Sequence, residues 1–345
     1  MPHIELQADP RKPPTIATVA RVANVSIASA SRVLNGLSTR AETTERVLWA
    51  AEQVGFVPNA AARSLRSRRT GQIAFAMPDV ANPVYTTMVS AIEEVTRERG
   101  LRLLLHSTGS DPENELSLLR DLRHRFVDGL ILASLKVTDR HLEELRRAAA
   151  PVVLVHGRPI RVATDLVRGH SRKGAADAVR HLHAGGRRRI AFLNGPASTA
   201  PGAQRHLGYR DGLRSCGLAY DEALVEAGAR FAILDGKEAV ERLLARGARP
   251  DAIFCANDLL AVGALAALHG AGLEVPQDVA LVGMDNSPLA EVAWPPLTSV
   301  DLGSTQRAHA AAELLMERIN GSTAEPRTVV VEPRLVVRAS SDPLG

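Results

Sequence analysis

Between Thr15 and Gly36 the apolar positions return every three or four residues, stop, and return again. Val19, Val22 and Ala23 share one face of a helix. Asn24 and Val25 break the pattern, and Ser26 stands where an N-cap belongs. Ile27 to Leu34 form a second short helix, stopped by Asn35-Gly36. A third helical stretch follows. Thr39 and Glu42 have capping-box spacing, Val47, Leu48, Ala51 and Val54 recur at helical spacing, and Gly55 ends the run. The pattern predicts a three-helix unit over 15–58. The first two helices fit an ordinary hairpin as well as a helix-turn-helix, whose second helix enters the DNA major groove.

Pro58 blocks continuation of the third helix, Asn59 can cap a new one, and the alanines after it favour helix. At roughly seven residues such a helix is too short to persist alone in water. Residues 59–70 therefore read as a hinge helix and linker that folds only against something, with a plain linker as the alternative. Residues 1–14, with Pro2, Pro10, Pro13 and Pro14, read as a disordered arm.

From Gly71 onward short apolar runs alternate with amphipathic stretches. Strands are expected at Gln72–Met77, Leu101–His106, Gly129–Leu132, Val152–Val155, Ile190–Leu193, Ala252–Cys255 and Val279–Val282. Helices are expected at Tyr85–Arg99, with Met88, Ile92 and Val95 inward, and at Asn114–Arg125, Gly174–Ala184, Gly236–Arg246 and Asp258–His269. This alternation predicts an α/β core of parallel sheets with helices on both faces. About seven to nine strands exceed one mononucleotide-type half, so two lobes are expected, with a ligand cleft at the carboxyl ends of their strands.

Composition narrows the function. The chain is 45% apolar, enough for a large core, and no apolar run reaches the roughly 18–20 residues a bilayer span needs. The opening MPHIELQADPRKPP lacks the apolar region of a secretory signal. Cys216 and Cys255 are the only cysteines and both sit in apolar surroundings, so a reducing cytoplasm is expected rather than a disulfide. The formal charge is +4, but residues 1–70 hold ten Lys/Arg against five Asp/Glu, so the basic excess lies wholly in the helical head. A basic head on a neutral body suits a polyanion such as DNA. Enzyme signatures are missing: there is no G-x-S-x-G elbow, no P-loop and no strand-associated G-x-G-x-x-G. His181 and His183, two apart on a helix, do not share a face for a metal. No catalysis, cofactor or metal is expected. The remaining rival is a solute-binding protein without DNA function.

These residues together resemble the lactose-repressor family of bacterial transcription regulators. VSIASASRVLNG at 25–36, VPNAAARSLRSRRTGQIAF at 57–75, AMPDVANPVY at 76–85, FVDGLIL at 126–132, GRRRIAFLNGP at 186–196, FCANDLLAVGAL at 254–265 and LVGMDNSPLAEVAWPPLTSV at 281–300 follow the family's order. The resemblance implies a helix-turn-helix domain over 15–58, a hinge over 59–70, and a two-lobed, periplasmic-binding-protein-like effector and dimerisation core over 71–345. By analogy, lobe 1 takes about 71–160 and 292–322 and lobe 2 about 161–291 and 323–340. The crossings are then expected near 157–165, 287–297 and 320–326. A homodimer on palindromic operator DNA, with a small-molecule effector, is implied.

On the head, the resemblance places Ile27 and Ala28 against base edges, where apolar side chains can meet only thymine methyls. Arg32, one turn on, faces guanine or phosphate. Ser26, Ser29 and Ser31 are short enough to reach phosphate oxygens, with head packing as the alternative for Ser31; Thr15, Asn35 and Asn59 are further DNA-binding positions, and Arg63 in the hinge adds salt-dependent binding. Leu65 matches the family's leucine wedge in the minor groove.

In the core, Tyr85, Arg205, Phe231, Asn257 and Asp285 match effector-cleft positions. Each has a structural alternative, such as a surface ion pair for Arg205 or a core role for Phe231. His156 and His170-Ser171 depart from the family's usual carboxylates. They shift the expected effector from a neutral hexose toward something anionic or less hydroxylated.

Overall fold

The structure is a computed structural model that describes residues 14–37, 39–57, 69–161 and 163–342. The hinge residues Asn59, Arg63 and Leu65, and residues 1–13 of the arm, lie outside the described residues. The chain divides into a head up to Thr70 and a core from Gly71.

The head holds α1 (Ile16–Val22), α2 (Ile27–Leu34) and α3 (Ala41–Gln53). Val19, Ala23, Ala30, Val33, Val47 and Ala50 form its core. Asn24 adopts φ +50° at the turn, and Gly36 and Gly55 take positive φ just past α2 and α3. Arg46 of α3 locks the turn: its Nη2 donates to the carbonyls of Ala23 (2.5 Å) and Asn24 (2.9 Å). Two expectations are corrected. Arg40, not Thr39, is the N-cap of α3, and no side chain caps it. Thr39 instead pairs its hydroxyl with that of Thr44, at 2.8 Å. Leu48 is exposed, because the buried stripe runs through Val47, Ala50 and Ala51.

The core contains two six-stranded sheets among its described residues. The first comprises β1 (Gln72–Met77), β2 (Arg102–Ser107), β3 (Gly129–Ser134), β4 (Val152–His156), β5 (Asp165–Gly169) and β11 (Thr328–Val331), in the order β11-β5-β4-β3-β1-β2, all parallel. The second comprises β6 (Ile190–Asn194), β7 (Val225–Ala227), β8 (Ala252–Cys255), β9 (Ala280–Met284), β10 (Thr298–Asp301) and β12 (Arg334–Val336), in the order β12-β10-β9-β8-β6-β7. In this sheet only β12 is antiparallel to its neighbour.

Alternation along β1 explains the layering of the first lobe. Ile73, Phe75 and Met77 face α4 (Pro83–Glu98) and α12 (Ser304–Ile319), while Ala74 and Ala76 face α5 (Pro112–Asp121) and α6 (Asp139–Arg146). In the second lobe α7 (Ser171–Ala184), α8 (Ala200–Ser215), α9 (Ile233–Ala245), α10 (Asp258–Gly270) and the short α11 (Pro288–Val292) surround a core centred on stacked Phe192, Tyr209 and Phe254.

The strand partners move all three lobe crossings from where they were expected. The chain crosses between β5 and α7, between β10 and α12, and between β11 and β12. Lobe 1 is therefore 71–169 with 304–331, and lobe 2 is 171–301 with 334–342. The cause is β5, whose DLVRG lacks an apolar run. Its buried Asp165 is held by Arg318 Nε (2.7 Å), Arg318 Nη2 (3.1 Å) and the Arg327 amide (2.7 Å), partners more than a hundred residues away in sequence.

Candidate DNA-reading helix and effector cleft

On α2, Ser26 is the N-cap and accepts from the Ser29 amide at 3.0 Å, so these two serines define the helix start. Ile27, Ala28 and Arg32 are exposed, Ile27 by 56%. A one-turn separation puts Ala28 and Arg32 on a common face. Ala30 is fully buried and Ser31 half-buried, which leaves the first turn and Arg32 as the accessible edge. Thr15 closes a capping box with Thr18 at the start of α1. Asn35 turns back, donating from Nδ2 to the Ser31 carbonyl at 2.6 Å.

In the core, one cavity of about 70 Å³ is lined by Tyr85, His156, Arg205, Phe231, Asn257 and Asp285. They come from both lobes: Tyr85 from the first turn of α4 and His156 from the end of β4, the others from α8 and the loops after β7, β8 and β9. Ser171 also lines the space, while His170 pairs with Glu332 at 3.3 Å.

Arg205, 7% exposed, is the centre of the cleft. Its Nη1 donates to the Ala256 carbonyl (2.6 Å), its Nη2 to Asp285 Oδ1 (3.1 Å), and its guanidinium lies 5.6 Å from the Phe231 ring centroid. Its Nε is buried without a partner. Phe231 fits because position 195 is glycine, where a Cβ would collide with the ring.

Asp285 sits at φ +103°, a strained conformation for aspartate, fixed by its amide donating to the Val300 carbonyl at 2.8 Å. Burial pushes its carboxyl up from the ordinary range, opposed by the charges of Arg205 and Arg307. Burial pushes the His156 imidazole down, partly offset by the bond to Ser134. That bond joins Nδ1 to the Ser134 carbonyl at 2.8 Å, which makes Nδ1 the protonated nitrogen of a neutral ring. Asn257 is largely committed to structure. Its Oδ1 caps α10 by accepting from the Leu260 amide (2.9 Å), and its Nδ2 donates to the Phe231 carbonyl (3.3 Å).

Sequence reasoning missed Arg307. It lines the cavity from the first turn of α12, a helix not anticipated because the strand before it, TSVD, is short and polar. Its Nε is also buried without a partner.

A model of bacterial regulatory proteins of the lacI family matches residues 15–59, and a periplasmic binding protein-like domain matches 179–341. The regulator CelR of Thermobifida fusca is 38% identical over 96% of this chain and 99% of its own. The chain belongs to the lacI family. It is a DNA-binding transcriptional regulator with a periplasmic-binding-protein-like core. A solved CelR–cellobiose complex superposes with a TM-score of 0.72 at 36% identity, covering 95% of this chain and 99% of that one. A lac repressor dimer bound to operator and an anti-inducer gives a TM-score of 0.86 at 24% identity, covering 96% and 99%, and shares the fold. Among the described residues no helix is long and apolar enough to cross a membrane.

Proposed function

We propose that the regulator is a cytoplasmic repressor that binds a palindromic operator as a homodimer and senses a small molecule, a sugar, sugar derivative or nucleoside-like compound, in the inter-lobe cleft. It works by binding, without catalysis. The observation that supports this reading is the convergence of Tyr85, His156, Arg205, Phe231, Asn257 and Asp285, from both lobes, on one cavity. The CelR complex with cellobiose supports a carbohydrate-like effector.

Since a single water needs at least about 10–15 Å³, the cavity of about 70 Å³ suits a compact ligand of no more than one ring. A larger effector requires the lobes to part. Ile27 and Ala28 would read thymine methyls and Arg32 a guanine or phosphate, with Leu65 as wedge. Effector and operator affinities are then linked through lobe geometry, with a coupling of about 1–3 kcal/mol, equal in both directions.

The test starts by selecting an operator from a random duplex pool with the full chain and screening sugars, sugar acids and nucleosides by thermal shift. A stabilising compound should also change operator affinity by about 5–150-fold. Arg205→Ala and Asp285→Ala should abolish the thermal shift while retaining operator binding. If both variants respond like the parent, the effector binds elsewhere. Removal of residues 1–66 should abolish DNA binding and retain the thermal shift, whereas a solute-binding protein without DNA function would select no operator at all.

A further inference from the structure

The cleft gathers two guanidiniums, of Arg205 and Arg307, around one carboxyl, of Asp285, and only one of the two is directly paired with it. Among its lining residues are two arginines and one aspartate: Arg205, Arg307 and Asp285. Arg205 and Asp285 form an ion pair at 3.1 Å, while Asp285 reaches Arg307 only at longer range. Arg307 forms no ion pair among the described residues. Its Nη2 donates to the neutral Ser304 hydroxyl at 3.2 Å, and its Nε is buried without a partner. Asp301, at the end of β10, accepts from the Gly303 amide at 2.7 Å and acts on Arg307 only at a distance, without a direct bond to it. His156 adds no negative charge, because its buried ring is neutral and donates from Nδ1 to the Ser134 carbonyl. A guanidinium withdrawn from water without an anion costs free energy, and leaving buried N–H donors unpaired adds to that cost. Both costs are removed if the counter-charge arrives with the ligand. Guanidinium donors suit carboxylate and phosphate oxygens in particular.

Resting on the effector reading of this cleft, we infer that the effector is a single-ring, sugar-like molecule carrying one anionic group, which seats against Arg307. Asp285 and Arg205 then serve the neutral part of the ring, Asp285 accepting from hydroxyls and Arg205 donating from its unpartnered Nε. Tyr85 and Phe231 supply ring surface. Arg307 thus sets the charge class of the effector, while Arg205 and Asp285 hold any occupant.

The test compares D-glucose, D-glucuronate and glucose 6-phosphate as probes, by calorimetry on the full chain. The uronate and the phosphate separate the two sources of an anion. At least one charged probe should bind tenfold or more tightly than glucose. Arg307→Met should reduce that ratio to about one, Arg307→Lys should keep part of it, and Arg205→Ala should weaken all probes. Glucose binding as tightly as both charged probes overturns the charge assignment while leaving an effector cleft intact. Binding that survives Arg205→Ala in full overturns the cleft reading beneath it. A second measurement needs no ligand: Arg307→Met should raise the melting temperature of the ligand-free protein, because a buried guanidinium without a direct ion pair is replaced by an apolar side chain. A lower melting temperature shows that the fold itself satisfies Arg307, and overturns the inference.

Discussion

Asp258 is 1% exposed and ties the start of α10 to two other segments. Its carboxylate accepts from the Ser287 amide (2.7 Å), the Ser287 hydroxyl (2.9 Å) and the Ser299 hydroxyl (2.6 Å). Burial, and then the charge of Asp285, push its pKa up to about 7, against the pull of these donors. An unfolded aspartate titrates near 3.9. Between those values the folded state holds more protons than the unfolded one, so Asp258's contribution favours folding below about pH 4. It declines as pH rises towards 7, by at most about 1.4 kcal/mol per pH unit, and is flat above. Asp258→Asn removes this dependence. Urea melts at pH 5 and pH 7 should show the parent losing stability relative to the variant across that interval; an unchanged difference means the carboxyl titrates lower. Single residues also show how far the sequence places the side chains that line the cavity. Tyr85, Arg205, Phe231, Asn257 and Asp285 belong to recognisable motifs beside strand ends or helix starts, so they were legible together. Arg307 was not, because its burial arises only when α12 crosses back to the first lobe.

Among elements, α3 of the head depends on a contact that no local pattern contains. Arg46 reaches the Ala23 and Asn24 carbonyls at the turn before α2, where Asn24 holds a left-handed conformation. Arg46→Ala should cost the head about 1–3 kcal/mol. Operator affinity should fall, and amide exchange should quicken in the head while the core's protection is unchanged. Unaltered head exchange would show that the turn holds without Arg46. Helix existence in the head was legible because Ser26, Gly36 and Gly55 mark its ends. The N-cap of α3 was not, since Thr39 offers the right hydroxyl and spends it on Thr44. The strands β5, β7, β10, β11 and β12 were missed for a related reason. Each is short, and Asp165 and Asp301 lie within β5 and β10, paired over long sequence distances or with a nearby turn.

For the molecule as a whole, the lobe crossings lie side by side. The His170 amide donates to the Val331 carbonyl at 3.1 Å, and a Cβ at Gly169 would sit 3.2 Å from the Leu302 carbonyl oxygen. Gly303 takes φ +67°, and a Cβ there would collide with Val331 Cγ1. Side chains are disfavoured at that φ by about 1 kcal/mol even in open space. Gly303→Ala should therefore disturb this crossing between the lobes. It should reduce the effector's influence on operator affinity more than it reduces effector binding itself. Anisotropy titrations with and without effector measure this directly, and an undiminished influence would mean that the coupling does not run through this crossing.

The same three crossings constrain how the molecule is made. The apolar face of β1 formed by Ile73, Phe75 and Met77 is covered partly by Ala308, Ala311, Leu314 and Leu315 of α12, and the first sheet's edge is completed by β11. These segments leave the ribosome after the whole second sheet except β12. The half of the core translated first must therefore wait for the half translated second, and it stands with an open apolar face throughout that interval. The second lobe, whose strands β6 to β10 emerge as one run, can consolidate ahead of it.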